Sequence, residues 1–213
     1  MKKNIKLFSM MLCCLAVMAL SSCLSSNDDD NNNQEKEWLE WVKAFQAEVL
    51  AAHGSYAGFM YFQPDAKVSA LDSIAAEWDI VSDTILELRS VPTSLLVDRL
   101  SENHQALKDA VIALGTINMQ VKIGFNVYYK SPLLFYVYPE PVTMNVNIDG
   151  DNKTVVVSFY NTETNTQSFG QCMVSTSQSL LRLYPKDITL DGIGVKSFNT
   201  IDYAYLYWLG KKR

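Results

Sequence analysis

Acidic side chains come closest to a catalytic pattern in this chain. Glu77, Asp79, Asp83 and Glu87 cluster, and Glu77 and Asp79 flank Trp78, so an extended backbone puts both on one side, with side chains about 7 Å apart. Paired carboxylates can serve glycoside hydrolysis, one as general acid and the other as base or nucleophile. The same pattern on an open strand is a solvated face that discourages edge-to-edge pairing. His53 and His104 fall in separate elements with no His-x-x-x-His spacing, so no metal site is expected. A Ser-His-Asp triad assembled only in three dimensions stays open, but there is no Gly-x-Ser-x-Gly elbow, no phosphate-cradling glycine loop and no dinucleotide fingerprint. Starting from Asp149, the sixth and twelfth positions hold Thr154 and Tyr160, where a calcium loop needs glycine and glutamate. Asp149-Gly150-Asp151-Asn152 reads as a hairpin turn. Cys172, alone in the body of the chain, reads as a small buried hydrophobe. No catalytic residue, cofactor or metal is expected.

The tyrosines offer a different chemistry. Tyr203, Tyr205 and Tyr207 alternate with Ala204, Leu206 and Trp208, which sets the three phenols on one face of a final strand. Tyr128, Tyr136, Tyr138 and Tyr160 also fall on the less apolar faces of their strands. An apolar ring with a wet hydroxyl suits contact with sugars and proteins. It equally covers a core from outside and stiffens a sheet through cross-strand packing.

The elements that must position these residues follow from periodicity. Trp38, Val42, Phe45 and Val49 recur at helical spacing, which predicts a helix over 35–53 ended by Gly54. Residues 55–62 read as extended. The alternation of Ile74, Ala76, Trp78 and Ile80 with polar neighbours predicts a strand, and 84–91 a second strand closing a hairpin. Leu96, Leu100, Leu107, Val111 and Leu114 form the stripe of a second helix over 94–114, capped by Thr93 or Ser94 and wet along Asp98, Arg99, Glu102, Lys108 and Asp109. Strands follow over 117–128, 133–138, 142–148 and 154–160, with shorter ones near 171–175, 188–190 and 193–198 and a last one over 201–209. Roughly ten short strands and two helices predict an α+β, mainly β fold, an antiparallel β-sandwich or barrel with two helices packed against it.

Composition and the N-terminus bound the setting. The 213 residues are 48% hydrophobic and 11% aromatic, enough for a core, and suggest one domain. Lys2, Lys3 and Lys6 form a basic lead before an apolar run over 7–20. About 14 apolar residues span about 21 Å as a helix, short of a hydrocarbon core of about 30 Å, so the run reads as a secretion signal over 1–22. Without those lysines the formal charge of -5 falls to -8. An acidic body without basic clusters argues against nucleic acid and against electrostatic adsorption to anionic lipid. Asp28-Asp29-Asp30 and Asn31-Asn32-Asn33 belong to a polar tether expected over 23–34.

Leu20-Ser21-Ser22-Cys23 resembles a bacterial lipobox. The resemblance implies cleavage before Cys23, a diacylglycerol thioether on its sulfur and acylation of its freed amine; two or more chains anchor stably where one does not. The acidic cluster after Cys23 is similar to the surface-export signal of Bacteroidetes lipoproteins. Asp72-Ser73-Ile74 and Asp83-Thr84-Ile85 resemble the O-glycosylation acceptors of that group, with Ser73 and Thr84 as the hydroxyls. The whole resembles its small β-rich lipoproteins, some of them lipocalin-like. What this implies is an outer-membrane lipoprotein exposed at the cell surface, or facing the periplasm, that holds a glycan, small ligand or envelope protein without catalysis. The rival expectations are a carbohydrate hydrolase using Glu77 or Asp79, and an accessory subunit of an envelope complex.

Overall fold

The structure, a computed structural model, describes residues 29–63, 71–198 and 205–213, with side chains from Asn33 onward. Residues 1–28, and with them the expected leader and Cys23, lie outside the described residues, as does Tyr203. The chain divides into Met1–Trp41 and Val42–Arg213. The described part of the first unit is helical, the opening turns of α1 (Asp29–Ala52). The helix thus begins six residues before the expected position, inside the stretch read as tether. Asn and Asp cost only a few tenths of a kcal/mol per residue in a helix, and propagation from a formed helix needs no new nucleus. Trp38, expected on the buried face, is 48% exposed.

In the second unit α1 ends with Phe45, Val49 and Ala52 buried in the core. Eleven strands follow among the described residues, all paired antiparallel: β1 (Gly54–Phe62), β2 (Asp72–Ser82), β3 (Ile85–Pro92), β4 (Thr116–Lys130), β5 (Leu133–Pro139), β6 (Val142–Ile148), β7 (Asp151–Tyr160), β8 (Phe169–Met173), β9 (Gln178–Leu190), β10 (Ile193–Ser197) and β11 (Leu206–Lys212). The order β11-β1-β2-β3-β4-β5-β8-β9 closes on itself because β9 also pairs with β11. The fold is therefore α+β and mainly β, and of the two expected architectures it is the barrel, with eight antiparallel strands. It fits a lipocalin-like barrel only loosely, since the β6–β7 hairpin leaves the wall and builds a second sheet, β6-β7-β9-β10.

Strand β9 serves both sheets. Its first half, Gln178 to Leu183, lies between β8 and β11; its second half lies between β7 and β10. Pro185 sits where the strand changes sheets, beside the register shift opposite Ser158 and Phe159. A residue without an N–H is tolerated at such a break in the ladder. Of this strand only 188–190 is expected from the sequence, and the structure extends it back to Gln178. The Asp149-Gly150 turn is as expected: both residues have positive φ and join Ile148 to Asp151, the geometry a two-residue hairpin loop requires.

The expected single helix over 94–114 is broken. It forms α2 (Ser94–Val97), a 3-10 turn at Glu102–His104 and α3 (Gln105–Ile112). Ser101 is extended, which stops the first helix. Thr93 makes no cap; its buried hydroxyl donates to the carbonyls of Val111 (2.8 Å) and Gly115 (3.2 Å) and ties the two ends of the segment together. Leu96, Leu100, Leu107 and Val111 are buried as expected, while Leu114 is exposed. α3 packs against β6.

Side chains fill the barrel. Trp78, Trp208, Phe135, Met60, Leu86, Leu88, Leu181 and Leu183 are all fully buried. The rings of Tyr56 and Trp78, paired across β1 and β2, stack at 5.8 Å. Gly170 lies opposite Phe135, and the Phe135 ring occupies the space that a side chain at Gly170 would take.

Candidate functional site

The large side chains named above point into the barrel, and the outer wall carries a set of partly exposed aromatic residues that can meet another molecule. Residues facing inward on β11 are Leu206 and Trp208, both buried, so Tyr205 and Tyr207 face outward. The register extends that face over five strands. Tyr61 on β1 pairs with Tyr207 on β11, Tyr207 with Arg182 on β9, Arg182 with Phe169 on β8, and Phe169 with Tyr136 on β5. At about 4.8 Å per strand, this row is about 19 Å long. A second row two residues along carries Phe59, Leu209, Leu180, Gln171 and Leu134 in the same register. Phe59 is 51% exposed and Tyr136 42%; Tyr61, Tyr207, Arg182 and Phe169 are half-buried.

Arg182 is the hub of the row. Its guanidinium carbon lies 5.5 Å from the Tyr207 ring centre and 5.6 Å from those of Tyr205 and Phe169. Those distances are within the range of cation–π attraction, and guanidinium, weakly hydrated and planar, suits such a site. Tyr61 and Tyr207 touch at 5.7 Å between centres, and Tyr205 and Tyr184 at the same spacing. Burial raises the hydroxyl of Tyr207 above the usual phenol range, and the neighbouring Arg182 cation opposes that rise. The Tyr184 hydroxyl, also raised by burial, donates to Gln167 Oε1 at 2.8 Å. The assembly offers flat apolar rings for stacking and one planar cation among them.

The other residues singled out from the sequence are placed differently. Tyr128 is 77% exposed on β4. The Tyr136 hydroxyl accepts from Asn126 Nδ2 at 2.8 Å. Tyr138 contacts Glu163, and the Tyr160 hydroxyl donates to the Phe198 carbonyl, so these two have structural partners. Tyr61, Phe59, Arg182 and Phe169 were not singled out from the sequence. The alternation Leu181-Arg182-Leu183 carried the signal that Arg182 faces outward, but nothing local said that it would meet β11.

Both candidate carboxylates lie on the outer wall and are bound to cations. Glu77 pairs with Arg213, and Asp79 with Arg89 and with the hydroxyl of Ser55 (2.5 Å). Contrary to the reading of Asp79 as a wet residue, these partners cover it until only 8% remains exposed. Glu87 stands opposite Asp79 in the β2–β3 register. His53 Nε2 lies 2.8 Å from Asp83 Oδ1, and His104 ends the 3-10 turn. Among the described residues no group of histidine, cysteine and acidic side chains could hold a metal. Cys172 is buried in the barrel beside the hydroxyls of Tyr56 and Ser179, and burial pushes its thiol up to about 11. Ser73 and Thr84 are exposed, Ser73 at the start of β2 and Thr84 in the turn before β3. Ser73 pairs with Tyr61, and so stands at the end of the aromatic row.

What these features define is a closed antiparallel barrel with a packed interior and an aromatic outer wall. Residues 51–190 match the model of a domain of unknown function, DUF4840, and the chain belongs to that family. No curated protein and no solved structure matches it.

Proposed function

We propose that this protein is a non-catalytic binding module that an envelope lipoprotein presents on its outer barrel wall. The in-register row Tyr61–Tyr207–Arg182–Phe169–Tyr136 carries this reading. Large rings clustered at a surface concentrate binding energy because they give much contact area at little entropic cost. The packed interior supports a ligand outside the barrel, and the ion-paired state of Glu77 and Asp79 favours binding over hydrolysis.

The anchor in this reading is lipid on Cys23, joined to the body through the acidic segment that ends in α1, with the domain displayed at the outer-membrane surface. The basic lead, the short apolar run and the small residues before Cys23 support it. Ser73 and Thr84, both exposed, are accessible for the proposed glycosylation. The partner is a glycan, a small ligand or an envelope protein.

Two measurements test the proposal. Mass spectrometry of the N-terminal peptide should find Cys23 diacylated on sulfur and acylated on nitrogen; a free thiol there overturns the anchor. Retention of the full chain on immobilised polysaccharides and envelope proteins should be lost in the Tyr61→Ala, Tyr136→Ala, Phe169→Ala triple variant at a temperature where its melting curve shows it folded. Retention unaffected by the three substitutions overturns the binding row.

A further inference from the structure

The chain has four arginines, and three of them meet a carboxylate: Arg89 with Asp79, Arg99 with Asp98, and Arg213 with Glu77. Arg182 differs. Among the described residues no carboxylate pairs with it, although the chain has 23 acidic residues against 18 basic ones. Its guanidinium faces the rings of Phe169, Tyr205 and Tyr207, and its Nε is buried without a hydrogen-bond acceptor. In an acidic protein, a cation held among rings, with no carboxylate partner among the described residues, is available to an external one.

We propose that the row binds a saccharide carrying a carboxylate, such as a uronic or sialic acid, with Arg182 taking the carboxylate and Phe169, Tyr207 and Tyr136 stacking against sugar rings. This inference rests on the binding reading above and names its ligand class. The guanidinium fork and a carboxylate are both planar and can share two parallel hydrogen bonds, a match that a hydroxyl-only sugar cannot make. The rings lie on both sides of the cation along the row, so a sugar chain laid across the strands meets aromatic faces before and after its acidic unit. An acidic peptide supplies the carboxylate but not the flat apolar ring faces, and the exposed aromatic length favours the saccharide.

The full chain is titrated calorimetrically with trigalacturonate, with sialyllactose, with the neutral galactotriose and lactose, and with polyglutamate. The expected result is that at least one acidic sugar binds tenfold or more tighter than its neutral counterpart, that this gap narrows as salt rises, and that Arg182→Gln abolishes the gap by weakening the acidic sugar tenfold or more beyond any change in its neutral counterpart. Phe169→Ala should weaken acidic and neutral sugars alike. Equal affinity for acidic and neutral sugars, no binding of either acidic sugar, a preference surviving Arg182→Gln, or polyglutamate binding as tightly as the sugars overturns the inference. If Arg182→Gln does not fold, the acidic-to-neutral ratio and its salt dependence in the native chain decide. A chain blind to acidic sugars that still loses its partner in the Tyr61, Tyr136 and Phe169 triple variant overturns this inference alone and leaves the binding module standing.

Discussion

The indole N–H of Trp78 on β2 donates to the hydroxyl of Ser179 on β9, 3.2 Å away and 101 residues along the chain, inside the barrel. Both residues are buried, Trp78 completely. The bond joins two strands that are not neighbours in the wall, and it satisfies the one polar side-chain atom of Trp78, one of two fully buried tryptophans. Ser179→Ala should therefore leave a buried donor unpaired and cost about 1–3 kcal/mol. Chemical denaturation should show a lower midpoint at unchanged slope. An unchanged midpoint would mean that water takes the place of the hydroxyl.

Gly170 and Phe135 make a second interior match. A methyl group at Gly170 would meet the Phe135 ring, itself 1% exposed and enclosed by the barrel. Gly170→Ala should destabilise the protein by about 1–3 kcal/mol through overpacking. Adding Phe135→Leu to it should recover part of the loss, a coupling that a double-mutant cycle reads directly.

Asp98 should make stability fall with rising pH. Burial raises its carboxyl from 3.8 to about 6, against the opposing pull of Arg99 and Lys108. Between about pH 4 and 6 the folded state therefore holds a proton that the unfolded chain has released, so stability declines across that window and the loss persists above it. The part-exposed side chain limits the effect to about 1–2 kcal/mol. Melting temperatures of Asp98→Asn and the native chain should nearly coincide at pH 4 and separate by pH 6.5, with the variant higher. A constant difference across that range would rule out the titration.

Cys172 should resist alkylation while the barrel is folded. Its thiol is 1% exposed and burial pushes it up to about 11, so thiolate and access are both scarce at neutral pH. Peptide mass analysis after iodoacetamide treatment should find Cys172 unmodified in buffer and modified in denaturant. Rapid labelling in buffer would contradict the packed interior.

Much of the fold was legible in the sequence because strand periodicity is local. Ile74, Ala76, Trp78 and Ile80 alternate with polar residues, and so do Ile117, Met119, Val121, Ile123, Phe125 and Val127; in both strands the predicted face is the buried one apart from the partly exposed Ile74, Ile117 and Val127. The Asp149-Gly150 turn was legible for the same reason, since two residues decide it. The helical stripe of Leu96, Leu100, Leu107 and Val111 also pointed to buried residues, but not to the break at Ser101. There the docking of α2 and α3 overrode a weak helical preference.

The sequence by itself determined most of the inward faces of the strands and where the β6–β7 hairpin turns. Only the tertiary structure decided that β9 returns beside β11 and closes a barrel rather than a sandwich. That closure brings Arg182 against Tyr207 and places Ser179 beneath Trp78, while the β8–β9 pairing sets Phe169 on the other side of Arg182. Alternation specifies a face over a few residues of one strand. Register between strands far apart in the chain depends on how well all the inward side chains fill one shared interior, and no local segment contains that information.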